Sequence, residues 1–219
     1  MVEAPAAALR LIAEIDEYLA ALEADWDGVA GARRELARVR EAGTKGAPAG
    51  NPGGPLCGHL DAALDIAAGR GAAALVGAIR AASAGLYWRT YDAYPPERIG
   101  AGFPGNHGFA RLIGPGGTIH NDDFGLGLFV MAPRTFYRDH CHPAPELYAP
   151  LTGPHQWRFD RGPWTSRPAH QPVWNEPLAV HATLSGDAPF LCVYIWTREI
   201  GAPAVLVEAP DWADIESGL

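Results

Sequence analysis

Apolar residues recur at steps of three and four near the start of the chain. Leu9, Ile12, Ile15, Leu19, Leu22 and Trp26 form one helical stripe, and Pro5 stands where the first turn of a helix tolerates proline. A charged run follows, with Arg33, Arg34, Glu35, Arg38, Arg40 and Glu41, and reads as the solvated face of a helix. Residues 43–55 hold enough Gly and Pro to defeat helix and strand alike, which predicts a loop. The Ala-rich stretch 56–86 is again helical in pattern, with Gly69, Gly71 and Gly77 as its weak points. Beyond Leu86 the texture changes to short aromatic and β-branched runs punctuated by Gly and Pro. Strands are expected over 87–91, 109–113, 126–131, 135–142, 146–151, 156–159, 179–184, 190–197 and 205–208. So many short strands without intervening helices predict a sandwich or barrel. The expected organisation is a helical segment over 1–86 packed on a β-barrel domain over 87–219.

Composition narrows the partners. The chain has 219 residues, with Lys+Arg 17 against Asp+Glu 25, a net charge of −8. Nucleic acid or an anionic membrane surface needs a dense basic footprint, so neither is expected as the main partner. Cys57, Cys141 and Cys192 are an odd set without a CxxC and read as reduced thiols. Glu3, Glu14 and Asp16 near the start argue against a secretory leader. The most apolar stretch, 62–86, is broken by Asp65, Arg70 and Arg80, so a membrane span is not expected. A soluble cytoplasmic protein is the expectation, with a homodimer as the commonest assembly.

Candidate chemistry gathers late in the chain, where seven of the eight histidines lie beyond residue 100. His140 and His142 are two apart, so a strand would point both to one side. Pro143 and Pro145 then force a turn, and Glu146 and Tyr148 are again two apart on the following strand. Two imidazoles and a carboxylate converging from neighbouring strands outline a first-row metal site, with His181 as the candidate third imidazole. The alternative is a solvated edge carrying two histidines. Cys141 should point away from such a site. Tyr194 and Trp196 share a face, and Trp157, Trp164 and Trp174 are further candidate walls, each with core packing as its alternative. His155 and His170 sit in turn-rich sequence, at a barrel mouth or on exposed loops, whereas His59, His107 and His120 have no evident partners. No Gly-x-Ser-x-Gly elbow is present, and the turn at 114–117 lacks the Lys and helix of a phosphate loop.

The spacing of His140, His142, Glu146 and Gly153 resembles the first motif of the cupin superfamily. Adding Tyr137, Tyr148, His181, Tyr194 and Trp196, residues 129–197 resemble the cupin-type dimethylsulfoniopropionate (DMSP) lyases, which release dimethyl sulfide and acrylate. The resemblance implies a double-stranded β-helix barrel holding one divalent transition metal on His140, His142, Glu146 and His181. Fe, Zn, Mn, Ni and Co all suit such donors. It further implies a zwitterionic small-molecule substrate, Tyr148 as the base, Tyr137 as a second pocket tyrosine, and Trp196 with Tyr194 against the sulfonium. Two departures stand out. Arg134 occupies the place of the usual glycine before the first motif, and Glu176 and Leu178 replace the Pro and Gly of the second. Strict alternation also sets Tyr137 on the face opposite His140 unless the strand bulges. A cupin dioxygenase using Fe(II), and a cupin that binds a small ligand without turning it over, are the competing readings.

Overall fold

The computed structural model describes residues 6–22, 27–41, 45–46, 58–91 and 94–219. Trp26, Cys57 and most of the expected loop at 43–55 lie outside the described residues. Helix α1 (Ala6–Leu22) buries Leu11, Ile12, Ile15 and Leu19. Leu9, expected on that stripe, is exposed, because Leu11 takes the inward position one turn from Ile15. The charged run forms α2 (Asp27–Glu41), which buries Val29, Ala32 and Leu36 and turns its charges outward. Arg33 ties it to α1 through Asp16 at 2.9 Å. The Ala-rich stretch divides into α3 (Leu60–Ala68) and α4 (Ala73–Ala82), parted at Gly71, whose φ of 97° suits glycine. Among the described residues no helix is long and apolar enough to cross a membrane.

Two sheets follow. The larger contains β1 (Lys45–Gly46), β2 (Trp88–Arg89), β3 (His107–Ile113), β4 (Ile119–His120), β5 (Gly125–Met131), β7 (Glu146–Pro150), β10 (Val173–Asn175) and β12 (Phe190–Trp196). Its order is β1-β4-β3-β5-β12-β7-β10, with β2 also on β3. The smaller runs β13-β6-β11-β8-β9, from β6 (Phe136–Cys141), β8 (His155–Phe159), β9 (Thr165–Arg167), β11 (His181–Leu184) and β13 (Val205–Leu206). Pairing is antiparallel except between β3 and β4. This is a mainly β, cupin-like architecture with helices ahead of it. Each of the nine expected strands is present, whereas β1, β4, β9 and β10, two or three residues each, fall below what periodicity detects. Two short helices, α5 (Pro96–Ile99) and α6 (Trp212–Ser217), are likewise additions.

Strand β5 is buried along its whole length because both faces are covered. Leu126, Leu128 and Val130 join Leu11, Ile15, Leu64 and Ile79 in one core between the helices and the sheet. Phe129 and Met131 face inward with Tyr137, Tyr148, Phe190 and Tyr194. Helices therefore seal the outside of the large sheet, leaving the inner face to the site.

One irregularity decides what reaches that face. His181 pairs with His140 and Thr183 with Tyr137, so two steps on β11 oppose three on β6. This β-bulge at Arg138 and Asp139 sends both side chains outward and restores Tyr137 to the side of His140. The outward pair is braced by the C-terminal residues. Asp139, fully buried, accepts from Arg158 Nε at 3.0 Å, from Arg158 Nη2, and from Trp212 Nε1 at 2.7 Å. Arg158 also holds Asp211, while Arg138 pairs with Glu216 and lies over the Trp212 ring. The Arg158 hydrogen bond keeps the half-exposed Asp211 carboxyl below its ordinary range. That part of the brace is present at neutral pH and fades as acidification passes the lowered value.

The two departures from the cupin motifs have a backbone signature. Arg134 and Leu178 stand at φ of 52° and 61°, the left-handed conformation that glycine adopts without penalty.

Two stability measurements test these accounts. Arg158→Met strands a buried Asp139 charge and should cost about 3 kcal/mol in denaturant unfolding; a loss near zero would remove the brace from the list of stabilising contacts. Leu178→Gly should raise Tm by about 2 °C, since the side chain is 62% exposed and little burial is lost. Leu178→Ala, still an L-residue, should give no such gain.

Candidate active site

Three imidazoles meet inside the barrel. His140 comes from β6, His142 from the residue just past its end, and His181 from the first position of β11. One ring nitrogen from each lies within 4.8 Å of the others. The opposite nitrogen of each ring is anchored to a carbonyl: His140 Nδ1 to Arg138 at 2.7 Å, His142 Nδ1 to Ala144 at 2.8 Å, His181 Nδ1 to Ala179 at 2.9 Å. A carbonyl only accepts, so each Nδ1 carries a hydrogen and each Nε2 is the nitrogen that faces inward.

Glu146 closes the group. Its Oε2 lies 3.1 Å from His142 Nε2 and 3.5 Å from His181 Nε2. All four residues are at most 2% exposed. The carboxylate is gripped from both flanking strands by the residues directly opposite it in register, Asn175 on β10 and Trp196 on β12. Asn175 Nδ2 donates to Oε2 at 2.8 Å and Trp196 Nε1 to Oε1 at 2.6 Å. The Trp196 ring also stacks on His142 at 4.4 Å.

Electrostatics and unmet hydrogen bonds agree on what the group lacks. His181 Nε2 is buried with only the long 3.5 Å contact to Glu146. His142 Nε2 faces a carboxylate oxygen although its other nitrogen already holds the hydrogen, so a positive charge is wanted between them. Burial alone would lower His142 and raise Glu146. Their mutual attraction outweighs it, holding His142 above and Glu146 well below their ordinary values. Burial and the two neighbouring imidazoles push His140 well down, which keeps it neutral. Three imidazole nitrogens and one carboxylate gathered at one point fit a divalent cation. The three histidines could hold a metal.

Of the four donors Glu146 lines a cavity of about 270 Å³, together with Arg111, Tyr137, Tyr148, Tyr194 and Trp196. Tyr148 shares the inner face of β7 with Glu146. Tyr137, delivered by the bulge, stacks on His140 at 3.9 Å and on Phe103 at 4.4 Å, and Phe103 stacks in turn on His107 at 3.9 Å. Burial and the negative charge of Glu146 drive the Tyr148 phenol well above its ordinary 10. Tyr137 is likewise raised, first by burial.

His140, His142, Glu146, His181, Tyr137, Tyr148, Tyr194 and Trp196 thus meet in one place, and the bulge that strict alternation required is what brings Tyr137 to the side of His140. Other assignments change. His107 has partners after all: it is fully buried, accepting from Tyr91 N and donating to Phe103 O, both at 2.7 Å, and burial lowers it to about 4. His155 is buried on β8 against Thr152 and Gly186, not at a mouth or on a loop. His170 joins Tyr18 and the Arg70 carbonyl, tying the helices to the barrel. His120 lies 3.2 Å from Asp122. Trp157 is core, Trp164 packs on Phe136 and Arg158, and Trp174 lies against the helix core, so none walls the cavity. Cys141 and Cys192 are free. Asn175 and Arg111 were not anticipated; a polar residue ending a short apolar run is the faint signal for Asn175.

Comparison with known proteins places these features. Residues 30–192 match the family model of dimethylsulfoniopropionate lyase. The dimethylsulfoniopropionate lyase DddQ of Ruegeria pomeroyi is 30% identical over 134 residues, covering 61% of this chain and 66% of that protein, about two thirds of its length. A crystal structure of DMSP lyase DddQ from Ruegeria pomeroyi superposes with a TM-score of 0.61 at 22% identity, over 88% of this chain and 97% of that one. A chain from the crystal structures of the DMSP lyases RdDddP and RnDddQII gives 0.63 at 19%, over 94% and 100%.

The donor set predicts one divalent ion per chain. Metal analysis of His142→Ala and His181→Ala should show severe loss in each, and full occupancy in both would place the ion elsewhere.

Proposed function

The chain belongs to the dimethylsulfoniopropionate lyase family, and we propose that it cleaves DMSP to dimethyl sulfide and acrylate with a metal held by His140, His142, Glu146 and His181. The observation carrying this reading is the position of Tyr148, beside Glu146 on one face of β7 and in an aromatic-lined cavity. When bound, the ion supplies Lewis-acid positive charge against the enolate-like charge that builds beside the substrate carboxylate.

The chain's own residues do the rest. Tyr148 takes the proton from the carbon next to the carboxylate, the C=C bond of acrylate forms, and the C–S electron pair leaves on sulfur as dimethyl sulfide. That leaving group is neutral and needs no strong general acid. Since burial raises the Tyr148 phenol, its use as a base at neutral pH depends on positive charge at the histidine centre. Tyr137, packed between His140 and Phe103, supports substrate placement or proton transfer. The faces of Tyr194 and Trp196 suit the sulfonium, whose charge the ring quadrupole attracts. Trp196 has a second duty, because its indole N–H restrains Glu146. A cytoplasmic homodimer acting on a small zwitterion belongs to the same reading, and the net charge of −8 disfavours a nucleic-acid partner.

The purified protein given DMSP should release dimethyl sulfide into the headspace, with or without oxygen. A strict need for oxygen would favour the dioxygenase reading, and no turnover in either condition would favour a binding protein. Tyr148→Phe removes only the hydroxyl, so metal content should survive while kcat falls about a hundredfold or more. Near-normal kcat with intact metal would exclude Tyr148 as the base.

A further inference from the structure

One row of the large sheet's inner face crosses four strands. Tyr148 on β7 pairs with Tyr194 on β12, Tyr194 with Gly127 on β5, and Gly127 with Arg111 on β3. Gly127 leaves its place in the row bare. A Cβ there would run into the Ala110 carbonyl and stand 2.7 Å from Tyr194 Cε1, so the tyrosine ring lies across the gap towards Arg111. Tyr194 and the Arg111 guanidinium are electrostatic neighbours. Strands about 4.8 Å apart put the Arg111 backbone three steps, roughly 14 Å, from that of Tyr148. The two ends of the row are therefore distinct places in one cavity.

The Arg111 end is richer in donors than in acceptors. Tyr194 is only 7% exposed, and the side chain beside its hydroxyl is the Arg111 guanidinium, itself a donor, so the hydroxyl's own proton has no acceptor. Arg111 Nε is buried and also without a partner, while Nη1 reaches the Pro115 carbonyl at 3.2 Å. Of the other ionisable groups lining the cavity, Glu146 is committed to its own strand neighbours and His107 has both nitrogens bonded. Buried donors left unmet are costly. A carboxylate, which only accepts and which matches the guanidinium fork, is the complement.

We propose that Arg111 and Tyr194 form a carboxylate-binding station, apart from the histidine centre, for short aliphatic monocarboxylates. Resting on the lyase reading, its ligands are the carboxylate of the entering substrate and that of departing acrylate. The station selects for the carboxylate end of the zwitterion, and a sulfonium lacking that group gains nothing from it.

Titrating propionate, an unreactive carboxylate, into the metal-loaded protein by calorimetry tests this without turnover. Arg111→Met should weaken propionate binding about tenfold or more, Arg111→Lys by less, and Tyr194→Phe by severalfold. With DMSP, Arg111→Met should lose more in KM than in kcat. Propionate affinity indifferent to all three substitutions would overturn the station, as would a loss confined to kcat. Should the Met variant fail to fold, the Lys and Phe variants decide. Dimethyl sulfide release with Arg111-independent propionate binding rejects the station and keeps the lyase; Arg111-dependent binding without release does the reverse.

Discussion

A carboxylate sealed from water, with both oxygens committed, is the constraint on which the rest of the structure depends. Glu146 would be costly to bury alone. Its charge is tolerable because β7 lies between two strands whose register sets a donor opposite it on either side, Asn175 and Trp196, and because two imidazoles face it. A one-residue slip of β10 or β12 would remove a donor and turn the neighbouring side chains to the wrong face. The register of the large sheet and the chemistry of its inner face are thus one specification, and the N-terminal helices supply the apolar cover that lets that face be the interior of a barrel.

Much of this is legible in residue order. Period-two patterning locates the long strands, and the two-residue spacings of His140 with His142 and of Glu146 with Tyr148 place four functional side chains on the correct faces. What escapes detection depends on contacts distant in sequence. Tyr137 has the wrong parity until Asp139 finds Arg158 and Trp212, partners 19 and 73 residues further on. Asn175 acquires meaning only from its register with Glu146, and Arg111 only from an empty place at Gly127. His107 stands isolated in sequence because its two partners are main-chain groups.

Arg134 and Leu178 teach a different lesson. Both depart from the glycines that cupin motifs carry, and both keep the backbone conformation those glycines would adopt. Surrounding turns impose that conformation, at a cost in local strain of about 1 kcal/mol at each position. A missing motif glycine therefore marks a penalty absorbed by the fold, without marking a different fold.

The brace on the bulge also gives the molecule an order of assembly. The groups that surround Glu146 come from residues 140–196, while Trp212 and Glu216, which grip Asp139 and Arg138 from outside, and Asp211, which holds Arg158, come later in the chain. The contact of Asp139 with Arg158, 19 residues further on, closes a shorter loop than its contact with Trp212, 73 residues further on, and so costs less chain entropy. Closing the longer loop is the step that completes the outer support of the tyrosine wall.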